Sequence, residues 1–196
     1  MPLETLRMAA LAALVPVLLV YADTPFRTFG QRFKTQRSAE RLVLFSIELN
    51  LLLLWALTKL LLERDAPLAP AAVAPVLAWV GVALAWVAAA FTVWARFALG
   101  RGFSGTFALR PDHVLVTHGP YAVVRHPMYT GLVALGAGIA IAHDSAVTLG
   151  FALLLLVPFW MHTAIEEQMF APAFGDAWRE YARRVPRLVP GWRPRG

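Results

Sequence analysis

The sequence predicts an all-α integral membrane protein, a helical bundle of about five transmembrane helices. Three observations carry that expectation. Of 196 residues, 59% are hydrophobic and only 15% charged, with a mean hydropathy of +0.59, which is too apolar for a water-soluble chain whose surface would mostly face solvent. Apolar runs of about 20 residues, the length a helix needs to cross about 30 Å of hydrocarbon, recur between polar or proline-containing breaks. Finally, the basic residues fall in alternate connections, as they do when every second loop faces the cytosol.

Leu6 to Tyr21 is the first expected span, Leu42 to Leu62 the second and Val73 to Leu99 the third. The first has neither a basic flank nor a small-residue cleavage site, so it reads as a membrane helix rather than a removed signal. A polar stretch from Gly100 to Arg125, with Gly100, Gly102, Gly105 and Pro111, reads as an ordered loop. Tyr129 to Ala142 is short for a crossing and meets Ala146 to His162 through His143, Asp144 and Ser145. This pair is expected as a tight helical hairpin, with Gly131, Ala134, Ala137 and Gly138 letting the backbones approach. The tail from about Phe170 to Gly196 is polar, Arg-rich and amphipathic, and Pro186, Pro190 and Pro194 confine any helix to its first half. We expect a single membrane domain over residues 1–196, with three N-terminal spans in 1–99 and a catalytic half in 100–196.

Fifteen of the 18 Lys and Arg residues lie after the first span, in the long loop and its edges, or in the tail. Five crossings put all of them on one side, with the N-terminus outside and the C-terminus in the cytosol. Sixteen Arg against two Lys hints at a prokaryotic inner membrane. The net charge of +6 is explained by topology, and no basic stripe interleaved with aromatics suggests nucleic acid. Membrane lipids are the expected partners. The absence of Cys excludes disulfides, thiolate nucleophiles and Cys-held metal. The histidines do not fall at a ligand spacing, so no metal is expected. No internal repeat suggests a transporter built from inverted halves.

Polar groups cluster between His113 and Gly131. His126 falls near a helix N-cap, Pro127 near the first helical position and Tyr129 in the first turn. Such a start offers N–H groups and a positive dipole end to a carboxylate or phosphate, while Tyr, His and Arg also serve as plain interfacial anchors. A second cluster, His162, Thr163, Glu166 and Glu167, puts two acids at the cytosolic end of the last span. Cations must answer them, either Arg125 or a cationic ligand, or Arg179, Arg183 and Arg184 of the tail. Four-residue spacing places His162 on the face of Glu166 and Thr163 on that of Glu167, so the two acids are expected to point in different directions. Glu48 and Asn50 lie within the second span, where an acid about 10 Å deep is costly and faces either a functional site or a neighbouring helix. Trp79, Trp86 and Trp94 read as a packing or lipid-facing stripe.

The pattern H-x-L-V-x-x-G-P-Y-x-x-x-R-H-P-x-Y-x-G, followed by E-E-x-x-x-x-x-x-F-G-x-x-W-x-x-Y-x-x-x-V-P, lies within a stretch of about His113 to Pro190. It closely resembles the isoprenylcysteine carboxyl methyltransferases and their phospholipid methyltransferase relatives. The resemblance implies a membrane methyltransferase that uses S-adenosylmethionine without a Rossmann fold, in a cytosolic pocket. It implies adenosine contacts from His113, Leu115, Val116 and Gly119, and a pocket continued by Tyr121, Arg125, His126, Pro127 and Tyr129. By the same resemblance, Glu167 would hold the methionine amino group and Tyr181 would help close the site.

Relatives that methylate carboxyl groups often carry Arg one turn before the two acids, where this chain has His162; a common tail Tyr is Trp178 here. The expected acceptor is lipophilic and membrane-borne, a phospholipid amine or an isoprenylcysteine-like carboxylate, with small-thiol methylation also open. For an amine, His162 or Glu166 is the candidate base; for a carboxylate, Arg125 is the candidate orienting cation. The alternatives are an NADPH-dependent membrane reductase of the sterol reductase type and a non-catalytic protein retaining the fold.

Overall fold

The computed structural model describes residues 1–21, 56, 67–100 and 114–192. Among the described residues, all regular structure is helical. Helices α1 (Leu3–Ala12) and α2 (Leu14–Tyr21) are followed by α3 (Ala74–Leu99) and by the single turn α4 (Pro120–Val123). Then come α5 (Pro127–Ala142), α6 (Ala146–Leu154) and α7 (Leu156–Arg184). Among the described residues, three stretches are long and apolar enough to cross a membrane: Leu3–Val20, Ala74–Leu99 and Ala146–Arg184. The expected span Leu42 to Leu62, with Glu48 and Asn50, lies outside the described residues.

Two of the expected helices are each interrupted by one turn without leaving αR geometry, and for one reason. Pro16 has no N–H for the carbonyl of Ala12, and the helix turns at Ala13. Pro158 likewise leaves the carbonyl of Leu154 without its donor, and the turn falls at Leu155. In both cases the break lies three residues before the proline, where its ring crowds the preceding turn.

α3 is the spine of the bundle. Leu6, Ala10, Ala13 and Val17 form one stripe down α1 and α2, and Ala10, Ala13 and Val17 pack with Ala85, Ala88 and Ala89. The indole N–H of Trp86 donates to the Ala9 carbonyl at 3.1 Å. Trp79, Trp86 and Trp94 are all about half exposed, on the outer face of α3.

The closest helix contact differs from the expected hairpin. Gly131 and Gly138 face α3 rather than the α6–α7 arm: a Cβ on Gly138 would stand 2.6 Å from the Ala85 nitrogen, and one on Gly131 would strike the Thr92 side chain. Gly136 is the glycine that meets the hairpin partner, across from Ala152. The small residues thus make a backbone seam between α3 and α5, with the Thr92 hydroxyl satisfied by the Ala88 carbonyl at 2.9 Å. At the far end of α5, Asp144 takes a left-handed φ of 53°. Its carboxylate accepts N–H bonds from Leu68 at 2.8 Å and Ala69 at 3.2 Å, which ties residues 67–70 to the hairpin turn. The Ser145 hydroxyl caps α6 by accepting from the Thr148 N–H.

α6 and α7 together run through 39 residues, and the part before Gly175 rises about 43 Å, more than the hydrocarbon thickness. The apolar part ends near His162, so Glu166, Glu167 and the residues after them stand beyond it. Gly175, at φ 56°, bends α7. After Arg184 the chain leaves the helix, and residues 185–192 fold back as a strap against the start of α5.

Candidate functional site

Pro127 disfavours helical geometry at the residue before it, so α5 starts at the proline with His126 as its N-cap. Arg125 and His126 thereby lie in non-helical backbone, and their N–H groups donate to the strap: Arg125 to the Pro186 carbonyl at 2.8 Å and His126 to the Arg187 carbonyl at 3.1 Å. The Thr130 hydroxyl donates to the Leu188 carbonyl at 2.6 Å. Leu188 itself is buried with Val133 and Phe159. Strap and helix start are therefore one unit.

The side chains on this frame form a charge cluster. The Arg125 guanidinium donates to both oxygens of Glu167, Nε to Oε1 at 2.8 Å and Nη2 to Oε2 at 3.1 Å. Its Nη1 donates to the Ala182 and Val185 carbonyls at 2.7 and 2.6 Å, capping the C-terminal turn of α7. Arg187 adds a third guanidinium contact on Glu167, Nη2 to Oε2 at 2.6 Å, with its head 4.5 Å over the Trp160 ring. His126 lies between the acids, with Nε2 3.1 Å from Glu167 Oε1 and Nδ1 3.2 Å from Glu166 Oε2. The Tyr129 hydroxyl donates to Glu166 Oε1 at 3.0 Å. Both acids thus reach one imidazole instead of parting, and Glu167 is answered by Arg125 and Arg187. Arg179 and Arg184 of the tail pair with Asp176 and Glu180 instead.

These contacts set the protonation states. Burial pushes the Glu167 carboxyl up, but hydrogen bonds from His126, Arg125 and Arg187 outweigh it and hold the group down at about 2. Burial likewise disfavours a charged His126, yet the hydrogen bonds and attraction of Glu166 and Glu167 win and raise its pKa above the ordinary histidine value.

The remaining expected site residues divide by place. Leu115 and Val116 are half-buried in the extended segment before α4, and Gly119 precedes that turn beside the Trp94 ring. His113 lies outside the described residues. Tyr121 is buried, and its carbonyl accepts the Tyr181 hydroxyl at 2.7 Å. Tyr181 packs against Trp178, which also meets Phe170 and the Arg125 head. His162 is half-buried, its ring 6.1 Å from that of Tyr129, which in turn stacks on Phe159 at 4.8 Å. The residue that sequence reasoning missed is Arg187. A signal existed: two adjacent acids beside one Arg leave carboxylate oxygens in need of another cation.

Residues 76–177 match the family model described as phospholipid methyltransferase. The chain is 37% identical over 94 residues to the protein-S-isoprenylcysteine O-methyltransferase of Schizosaccharomyces pombe, covering 46% of this chain and 40% of that protein. It is 33% identical over 94 residues to protein-S-isoprenylcysteine O-methyltransferase B of Arabidopsis thaliana, covering 46% and 48%. The matches thus span less than half the length of these relatives. In overall shape, the chain resembles the eukaryotic intramembrane Ras methyltransferase ICMT, with a TM-score of 0.61 over 97% of this chain and 68% of that one, at 19% identity. That likeness is one of fold.

Proposed function

Because the chain belongs to the phospholipid methyltransferase family, we propose that it transfers a methyl group from S-adenosylmethionine to a lipophilic acceptor carried in the membrane. The observation that carries this reading is the unequal use of two adjacent carboxylates. Glu167 has both oxygens committed to Arg125, His126 and Arg187. Among the described residues, Glu166 meets His126 and Tyr129, and it keeps 23% of its side chain exposed. A ligand that carries a sulfonium and an ammonium asks for a carboxylate and aromatic faces, and Glu166, Tyr129 and Phe159 are gathered as such a set. When bound, the cofactor would supply a methyl group already activated by its positive sulfur.

On this reading the roles expected from the resemblance shift. Glu166 rather than Glu167 attracts the cationic end of the cofactor, while Leu115, Val116 and Gly119 offer half-buried apolar surface for its base. Tyr121 and Tyr181 brace the turn that presents that surface. Arg125 commits four N–H groups to the protein, so it holds the site together rather than orienting an acceptor carboxylate. That supports a phospholipid amine over an isoprenylcysteine-like carboxylate. His162, beside Tyr129, would then be the candidate to take the proton an amine gives up. The family match, at 76–177, runs across the expected division at residue 99, and α3 supports the site through its seam with α5. We further propose that the chain crosses the membrane about five times, with the cluster and strap on the cytosolic side. Neither the reductase nor the non-catalytic alternative is favoured by the family match.

Isothermal titration of the purified protein with S-adenosylhomocysteine, and separately with NADPH, tests this reading. Saturable binding of the first and none of the second is the expected result. Binding of NADPH alone would overturn the proposal.

A further inference from the structure

His126 is 6% exposed, and each of its ring nitrogens has a carboxylate oxygen of α7 close by: Nε2 is hydrogen-bonded to Glu167 at 3.1 Å, and Nδ1 lies in ion-pair contact with Glu166 at 3.2 Å. A neutral imidazole carries one N–H and one lone pair. Either neutral tautomer would therefore set a lone pair against a carboxylate oxygen. Only the imidazolium, with two donors on opposite sides of the ring, satisfies both contacts.

The surrounding groups make the contact asymmetric. Arg125, from the segment before α5, and Arg187, from the strap, both bind Glu167. Tyr129, on α5, donates to Glu166, and His162, one turn before Glu166 on α7, stands beside the Tyr129 ring. Glu167 would keep two guanidinium partners if His126 lost its proton. Glu166 would lose the cation that His126 supplies. Adjacent residues of a helix also project about 100° apart, so the two acids share this ring only because it reaches both from the N-cap of α5.

We infer that His126 is held as an imidazolium fork whose Nδ1–H fixes one oxygen of Glu166 and so aims the exposed remainder of that carboxylate at a cationic ligand. His126 is then a positioning residue, with neither ring nitrogen available to touch the ligand itself. The raised pKa of His126 agrees with this state. The fork stands on the geometry alone; its bearing on ligand rests on the methyl-donor reading given above.

Nitrogen NMR of histidine-labelled protein in detergent tests the fork directly. At about pH 7.5, where an unperturbed imidazole is mostly neutral, one of the five histidines should show both ring nitrogens protonated, and that signal should vanish in His126→Gln. A His126 with an unprotonated ring nitrogen at that pH would overturn the inference, whether or not the variant folds. The second arm follows S-adenosylhomocysteine affinity against pH. In the wild type, affinity should fall as pH rises through the raised pKa of His126. In His126→Gln, it should be about tenfold weaker and lose that alkaline limb. A variant with the wild-type affinity and the same alkaline limb would also overturn the inference. If the wild type binds no S-adenosylhomocysteine at all, the donor reading fails, and the nitrogen signals still decide the fork.

Discussion

Helix α5 is fastened in two ways that share no physics. Along its length, Gly131, Gly138 and Ala142 meet Gly81, Ala85, Ala88 and Thr92 of α3 in a seam where backbone touches backbone. At its N-terminus, Arg125, His126 and Tyr129 meet Glu166, Glu167 and Arg187 in a cluster of charges and hydrogen bonds. In lipid, apolar side chains gain little by leaving their surroundings, so the seam works by missing atoms that let dispersion contacts accumulate. The cluster works by full pairing, because a buried charge without its partner is costly. A seam tolerates no added volume; a cluster tolerates no lost charge.

That contrast fixes the order of expected effects. Arg125→Ala should be the most damaging single change, since it strips two bonds from the buried Glu167 and two caps from α7; removing one partner of such a pair costs about 3–5 kcal/mol. Thermal unfolding followed by Trp fluorescence should show the loss, and a variant as stable as the wild type would refute the structural role given to Arg125. Gly138→Leu comes next, at about 3 kcal/mol, because its side chain would enter the Ala85 backbone. Asp144→Ala, which removes the acceptor of the Leu68 and Ala69 N–H groups, should cost about 1–2 kcal/mol while leaving S-adenosylhomocysteine binding unchanged. Glu166→Gln should alter stability least, yet weaken S-adenosylhomocysteine by about tenfold, or about 1.4 kcal/mol. Equal losses of stability and binding in that variant would erase the distinction drawn between the two acids.

The cluster, unlike the seam, should also respond to pH. Glu167 is held down at about 2, so its contribution to stability is full above the ordinary carboxylate pKa and drains away as pH falls toward about 2. His126 is raised, so its contribution is full below the ordinary imidazole value and is lost as pH rises through the folded one. The midpoint of unfolding should therefore be highest between those limits. Gly138→Leu should lower the whole curve without changing its shape.

Much of this was legible before any coordinates. The Arg125, His126, Pro127 sequence marks the start of α5, because a proline constrains the residue before it through local sterics alone. The expected stretches Leu6 to Tyr21 and Val73 to Leu99 coincide closely with Leu3–Val20 and Ala74–Leu99, because hydropathy over one helix length reports burial in lipid directly. What sequence left open is pairing. The glycines of α5 announced a close approach but not its partner, and α3 took the place expected for the α6–α7 arm. The acids of α7 announced a need for cations, yet Arg125 and Arg187 answered Glu167 from 42 and 20 residues away while nearer arginines did not. Periodicity identifies a face; it carries no information on what will meet that face. The breaks at Ala13 and Leu155 were readable, since each lies at the same offset before a proline.

The strap has a consequence for the order of synthesis. Arg125 and His126 leave the ribosome well before the carbonyls of Pro186 and Arg187 that receive their N–H groups. Until those carbonyls arrive, the start of α5 holds the Arg125 guanidinium and an ordinary His126 imidazole with neither their carboxylates nor their backbone acceptors. The nascent chain therefore carries an unpaired guanidinium there, which Glu167 answers once α7 has formed. Docking of Leu188 beside Val133 and Phe159 then fastens the strap against α5. The strap thus completes the backbone pairing and the charge cluster in one event.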